Sequence, residues 1–167
     1  MACGKSTIGR KLNHRLKMNL FDTDKEIVAS EGASIAEIFD THGEDYFRKL
    51  ECDMIKGLVS SNTHAIISTG GGAPIWGDNM KSMNQAGLTV YISRTAENIA
   101  KRVSVYGREK RPKLRGLSDD ELVGVMRKGI AKRDARYREA QLIIEADSCS
   151  DDAILDIIIA QINSMKG

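Results

Sequence analysis

Gly4-Lys5-Ser6-Thr7, close to the start of the chain, forms the second half of the pattern G-x-x-x-x-G-K-[ST]. In that pattern backbone N–H groups wrap around phosphates, the Lys reaches the terminal ones, and the Ser or Thr hydroxyl sits on Mg²⁺. The first glycine of the pattern would fall ahead of Met1, and no strand feeds the loop. Asp22-Thr23-Asp24 then sets two carboxylates at the end of a short apolar run. Taken alone, that triplet also reads as a turn with a helix cap. Gly70-Gly71-Gly72 removes side chains from three successive positions, which makes sense where backbone must approach something closely. Arg108, Lys110, Arg111, Lys113 and Arg115 crowd around Pro112 in a stretch without periodicity. A phosphate loop, carboxylates to orient a hydroxyl and arginines to neutralise charge are the parts that phosphoryl transfer requires.

The elements that must position these residues alternate. Ile8, Leu12 and Leu16 recur every four residues and predict an amphipathic helix over 6–20, its N-terminus directed at the phosphates. Leu20-Phe21-Asp22 reads as a strand, with Asp24 as the cap of the next helix. Ser34-Ile35-Ala36-Glu37 is a capping box opening a short helix through Phe39. In the longer helix that follows, Phe47, Leu50, Met54 and Leu58 trace an apolar stripe, with Arg48 and Glu51 beside it rather than within it. Ala65–Ser68, Leu88–Ile92 and Leu142–Ile144 are further strands. Helices are predicted near 80–86, from Thr95 through Arg102, from the capping box Ser118-Asp119-Asp120-Glu121 to about Tyr137, and over 151–162. Strand–helix alternation of this kind predicts an α/β fold with a parallel sheet covered on both faces. The basic stretch from Tyr106 to Gly116 reads as a surface loop suited to be a lid.

At 167 residues the chain fits one domain with a sizeable core. Its 25 basic and 23 acidic residues leave +2, so anions must be held by local clusters, and bulk charge points to neither nucleic acid nor a membrane surface. No apolar run reaches the ~20 residues of a membrane span. Cys3, Cys52 and Cys149 are odd in number and lack zinc-site spacing, which suits a reducing cytoplasm. Cys3 reads as a tolerated small residue of the loop. Trp76 reads as packing. His14, His42 and His64 lie outside every motif.

In order and spacing, GKSTIGRKL, FDTD at 21–24, GASIAEIF, GEDYFRKLE through Glu51, STGGGAP at 68–74, RPKL at 111–114, and KR followed by Tyr137 resemble the shikimate kinases over the whole chain. The resemblance implies a three-layer α/β/α P-loop kinase fold whose parallel sheet has five strands in the family, the first and central one missing here. It also implies ATP-dependent phosphorylation of the shikimate 3-hydroxyl on the way to chorismate, with Mg²⁺ and a monomer. Ala2, Cys3, Gly4, Lys5, Ser6 and Thr7 match the family's ATP loop, with Ser6 as a metal ligand and Asp22 as the carboxylate near the metal. Asp24 matches the carboxylate that binds shikimate and orients the attacking hydroxyl. Arg48 and Arg133 match the arginines that grip the shikimate carboxylate, and Gly71, flanked by Gly70 and Gly72, matches substrate-binding backbone. Arg111 matches the lid arginine that reaches the transferring phosphoryl, and Arg102 one that packs near adenine. The catalytic set is then Lys5, Asp24 and Arg111.

Two departures from the family accompany the match. The family's Pro-Leu-Tyr run after the arginine matched by Arg133 is replaced by Asp134-Ala135-Arg136-Tyr137, which leaves Arg136 competing with Arg133 for the carboxylate. The adenine-contacting turn near 148–152 does not align clearly. A kinase for gluconate or a nucleotide, or a non-catalytic shikimate-binding remnant, are the competing readings. The absent strand motivates the last of these, since five or six buried apolar residues amount to roughly 10 kcal/mol. The expectation is a natural chain about ten residues longer, with this one binding ATP weakly and keeping its shikimate contacts.

Overall fold

Gly4 has φ of 102°, a left-handed conformation that glycine alone adopts without strain, and its carbonyl accepts hydrogen bonds from the N–H groups of Thr7 and Ile8. From that cap α1 (Lys5–Leu16) turns Ile8, Gly9 and Leu12 inward. The structure is a computed structural model that describes residues 3–61, 64–103 and 114–165. Ala2, Arg111 and the lid stretch over 106–113 lie outside the described residues.

After α1 come β1 (Asn19–Asp22), α2 (Thr23–Glu31) and α3 (Ile35–Ser60). Ser34 and Glu37 form the expected capping box on α3. Gly43, with φ 82° and ψ 176°, breaks α3 into the short and long helices that the sequence predicted. Next are β2 (Ala65–Ser68), a 3₁₀ turn at Ala73–Ile75, α4 (Asn79–Ala86), β3 (Val90–Ser93) and α5 (Ala96–Arg102), capped by the Thr95 hydroxyl. The described chain ends with α6 (Asp119–Ala131), α7 (Asp134–Tyr137), β4 (Leu142–Glu145) and α8 (Asp151–Ser164).

Both strand pairings are parallel. β1 pairs with β2, setting Asp22 level with Ser68, and β3 pairs with β4, setting Ser93 level with Glu145. Among the described residues the pairs are not hydrogen-bonded to each other, so the sheet stands in two halves rather than as the continuous five strands of the family pattern. Helix α1 bridges them. Ile8 and Leu12 share one core with Ile92, Ile144, Ile154 and Leu155, and Leu16 and Ile66 pack against it. A second core, under α5 and α6, includes Ile99, Leu114 and Leu122, and a third joins Ile27, Ile38 and Phe47.

Four expectations need correction. Asp22, not Asp24, is the N-cap residue of α2, and Asp24 lies in the first turn, where its charge still favours the helix end. Strand β3 begins at Val90 rather than Leu88, because the Thr89 N–H donates to the Gln141 side chain at 3.2 Å instead of to a strand carbonyl, while the Thr89 carbonyl takes the first ladder bond from Leu142. The helix expected to reach Tyr137 stops at Ala131, since Arg133 leaves helical geometry (φ −124°, ψ −19°) and α7 restarts at Asp134. Glu51 does not stand beside the apolar stripe of α3 but is fully buried.

Arg94 was not singled out by the sequence and is only 5% exposed. Its Nε donates to the Cys3 carbonyl at 3.1 Å, and its Nη1 donates to Asn98 Oδ1 at 3.3 Å and to the Ala146 carbonyl. One buried guanidinium thereby ties the phosphate loop to the C-terminal ends of β3 and β4. Arg94→Met removes these bonds and leaves two carbonyls short of a donor. The expected cost is ~2–3 kcal/mol in denaturant unfolding, and a loss below ~0.5 kcal/mol would contradict the bridging role.

Candidate active site

The C-terminal ends of β1 and β2 open beside the start of α1, the position where ligands bind in open α/β sheets. There the Ser6 hydroxyl donates to Asp22 Oδ2 at 3.1 Å, joining the loop to the strand end. A hydroxyl and a carboxylate oxygen at this spacing suit a hard cation that keeps water and phosphate oxygens as its other ligands. Arg102 lies alongside: its guanidinium is 3.4 Å from where a Cβ on Gly4 would stand and 3.6 Å from Asp151 Oδ1.

The glycine turn after β2 is the floor of the site, and at Gly70 and Gly72 different neighbours leave no room for a side chain. A Cβ on Gly70 would press on the Glu51 carboxylate and stand 2.6 Å from Asp24 Oδ1. On Gly72 a Cβ would run into the Arg48 guanidinium. Gly72 has φ of −90°, open to any residue, so space and not backbone conformation excludes a side chain there. Gly70 N–H donates to the buried Thr23 hydroxyl at 3.0 Å, and the Gly71 carbonyl accepts from the Tyr137 hydroxyl.

Around this turn the charges alternate. Arg48, with its side chain 11% exposed, donates to Glu51 Oε2 and, through Nη2, to Glu44 Oε1 at 2.9 Å. It also lies 5.4 Å from the centre of the Phe47 ring. Burial raises the Glu51 pKa, the Arg48 pair opposes that rise, Asp24 adds to it and Arg133 opposes it. Glu51 Oε1 has no hydrogen-bond partner among the described residues. Burial likewise raises Asp24, with Lys5 and Arg48 opposing and Asp22 adding. Asp24 is thus electrostatically coupled to the phosphate loop on one side and to the Arg48–Glu51 pair on the other.

The two arginines stand in different surroundings. Arg133 heads α7 and acts electrostatically on Glu51 and Tyr137, whereas Arg136 is exposed and paired with Glu139 at 3.0 Å. Lys5, Ser6, Asp22, Asp24, Arg48, Gly70, Gly71, Gly72 and Arg133 therefore gather in one place. Glu51 and Thr23 are the residues that sequence reasoning missed in their roles. The available signal for Glu51 was its place three residues after Arg48 on a helix, the spacing of an ion pair. Of the histidines, His42 stacks on Tyr46 at 4.7 Å and His14 and His64 are exposed; Trp76 is exposed too.

The family model for shikimate kinase matches residues 1–163. The chain belongs to the shikimate kinase family. The shikimate kinase of Clostridium botulinum is 38% identical over 157 residues, covering 94% of this chain and 89% of the relative. That of Geobacter metallireducens is 38% identical over 160 residues, covering 94% and 85%. Among solved structures, shikimate kinase from Bacteroides thetaiotaomicron superposes with a TM-score of 0.86 at 32% identity, covering 99% of this chain and 93% of that one. Shikimate kinase from Acinetobacter baumannii in complex with shikimate gives 0.85 at 30% identity, covering 99% and 90%. These neighbours establish the α/β fold predicted from the alternation and the P-loop kinase form of it that the resemblance implied. Among the described residues no helix is long and apolar enough to cross a membrane.

Two outcomes follow from this geometry. Gly72→Ala must push Arg48 aside; overpacking of this kind costs ~1–3 kcal/mol, and about a tenfold weakening of ligand binding at Arg48 is expected by calorimetry. Unchanged affinity would show that Arg48 gives way freely. Asp24 has a folded-state pKa above its unfolded value, so the folded chain holds that proton more tightly. The resulting stabilisation is present below the ordinary carboxyl value of 3.8 and is lost as pH rises through the raised folded value. Asp24→Asn carries no charge at any pH, so its melting temperature should gain on that of the wild type as pH rises from about 4 to 7. A variant that loses ground over that range would refute the assignment.

Proposed function

We propose that this chain transfers the γ-phosphoryl group of ATP to the 3-hydroxyl of shikimate. The observation that carries the reading is that Asp24 and Arg48 both close on the glycine turn, with Lys5 acting on Asp24 from the phosphate-loop side and Arg133 acting on Glu51 and Tyr137 beside the turn. Membership of the shikimate kinase family supports it, as does the close superposition on a relative bound to shikimate.

Arg48 and Arg133 bind the substrate carboxylate, a task suited to planar guanidinium groups. Arg48 is already oriented by Glu51 and Glu44, so little side-chain entropy remains to be lost on binding. Gly70–Gly72 brings backbone against the ring. Asp24 accepts a hydrogen bond from the reacting hydroxyl and takes its proton as the oxygen attacks the γ-phosphorus and the bond to the ADP oxygen breaks. Its raised pKa suits a group that must accept a proton at that moment. Lys5 and the loop N–H groups neutralise charge on the phosphates, and Arg102 lies toward the adenine end. Arg111, on the lid stretch, is assigned the transferring phosphoryl by its place in the family pattern.

The hydroxyl and carboxylate oxygens of Ser6 and Asp22 fit a hard cation, and these two residues would hold Mg²⁺. Bound there with ATP, the ion supplies charge neutralisation for the β- and γ-phosphates.

A coupled assay of ADP release decides between substrates. Shikimate should support turnover, and gluconate or a nucleoside monophosphate should not; either of those outperforming shikimate would overturn the reading. Lys5→Met should lower kcat by about 100-fold or more while weakening shikimate affinity by calorimetry far less, since it removes charge stabilisation at the phosphates and only one of the cations that oppose the rise of Asp24.

A further inference from the structure

Arg133 is held at the head of a helix only four residues long, Asp134–Tyr137. One turn of helix has no stability of its own, because nucleation fixes several residues for a single hydrogen bond. Whatever fixes Arg133 must therefore come from outside α7. The contacts that do so are specific. Tyr91, on β3, donates its hydroxyl to Asp134 Oδ1 at 3.0 Å. Asp134 Oδ2 accepts from Arg138 Nε at 2.7 Å, and Arg138 Nη2 reaches Glu145 Oε1 on β4 at 3.2 Å. At the other end of the turn the Tyr137 hydroxyl bonds the Gly71 carbonyl, and its ring packs on that of Tyr91 with centroids 5.1 Å apart.

We propose that Tyr91 and Asp134 are positioning residues for substrate recognition: they clamp α7 onto the β3–β4 pair so that Arg133 and Tyr137 meet the glycine turn at the height required to bind a carboxylate substrate. Neither touches the reacting atoms. Asp134 acts by accepting at both carboxylate oxygens, from β3 through Tyr91 and from its own helix end through Arg138. Tyr91 acts twice, through its hydroxyl to Asp134 and through its ring to Tyr137, so one strand residue sets both ends of the turn. Burial, with the Asp134 carboxylate adding, pushes the Tyr91 hydroxyl up to about 12, which keeps the donor protonated at any working pH. A proline in α7 would stiffen the turn internally, but the chain has Asp134-Ala135-Arg136-Tyr137 there, and the stiffness comes from the sheet instead.

The inference rests on the reading of the site as a shikimate site, and its test separates the two. Tyr91→Phe keeps the ring and deletes only the hydroxyl; Asp134→Ala deletes the acceptor; Asp134→Asn keeps one acceptor oxygen for Tyr91. Steady-state kinetics with shikimate and ATP, shikimate calorimetry and thermal melts are measured for each. For Tyr91→Phe the expected result is a shikimate KM and Kd raised about tenfold, the loss of one charge-assisted hydrogen bond, and for Asp134→Ala, which loses the bonds from both Tyr91 and Arg138, at least as much, with ATP KM and kcat within about twofold in each. Asp134→Asn should recover most of the shikimate affinity. A lowered melting temperature with shikimate Kd unchanged, or a parallel loss in both substrates, would make the cluster merely structural and overturn the proposal. If Asp134→Ala fails to fold, Tyr91→Phe alone decides. A wild-type chain that binds no shikimate overturns the site reading itself, whereas wild-type binding with unaltered Tyr91→Phe overturns only the clamp.

Discussion

Absence of side chains at one turn governs the rest of the site. Asp24, Glu51 and Arg48 come from two different helices, yet all three end against Gly70 and Gly72, inside the distance at which a Cβ could stand. Charged groups can be brought this close only because the floor beneath them is bare backbone. That floor is fixed in turn by Thr23 below Gly70 and by Tyr137 at the Gly71 carbonyl. The compactness of the site therefore depends on three glycines anchored from both sides. Their flexibility is not what is used: Gly70 and Gly72 supply volume, whereas Gly4, at φ 102°, supplies conformation.

A second dependence runs through α1. It presents the phosphate loop at its N-terminus and packs Ile8 and Leu12 into the core shared with β3, β4 and α8, while Gly9 lies close to Leu20, Ile66 and Ser68 of the other strand pair. Lys11 and Arg15 then pair with Asp151, Asp152 and Asp156 on α8, with N–O distances from 2.6 to 3.3 Å. These are surface pairs, each worth at most ~1 kcal/mol. Apolar packing at Ile8 and Leu12, together with the buried Arg94, fixes the loop more firmly than they do.

Most of the element order was legible in the sequence because its signals are local. The two Ser-x-x-Glu boxes start helices where they were predicted to, and the break at Gly43 follows the separate short and long helical patterns. Parallel pairing followed from alternation alone. What the sequence could not reveal depends on contacts between distant segments. The end of α6 is set where Arg133 departs toward the glycine turn, and nothing in residues 131–134 marks it. Glu51 looks like a surface charge beside an apolar stripe until β2 delivers Gly70 to its carboxylate. Arg94 is a lone arginine after a strand until Cys3, Asn98 and Ala146 gather around it. The different surroundings of Arg133 and Arg136 are of the same kind, since three residues around a helix end separate a guanidinium that acts on Glu51 and Tyr137 from an exposed one paired with Glu139.

The electrostatics of the site explain why such a cluster persists in a marginally stable chain. Burial raises both Asp24 and Glu51, so the fold holds these carboxylates against their preference for water. Arg48 offsets part of that cost through Glu51, but Glu51 Oε1 remains without a partner among the described residues. A site already satisfied internally would have little to offer a ligand. Here a hydroxylated acid can complete both charge patterns, with its carboxylate on the free donors of the arginines and its hydroxyls on the carboxylate oxygens. In the proposed reading the unmet hydrogen-bonding capacity at Glu51 Oε1, with the buried carboxylate of Asp24 beside it, is the folded chain's reserve for binding, held in place by the packing of α3 against the glycine turn.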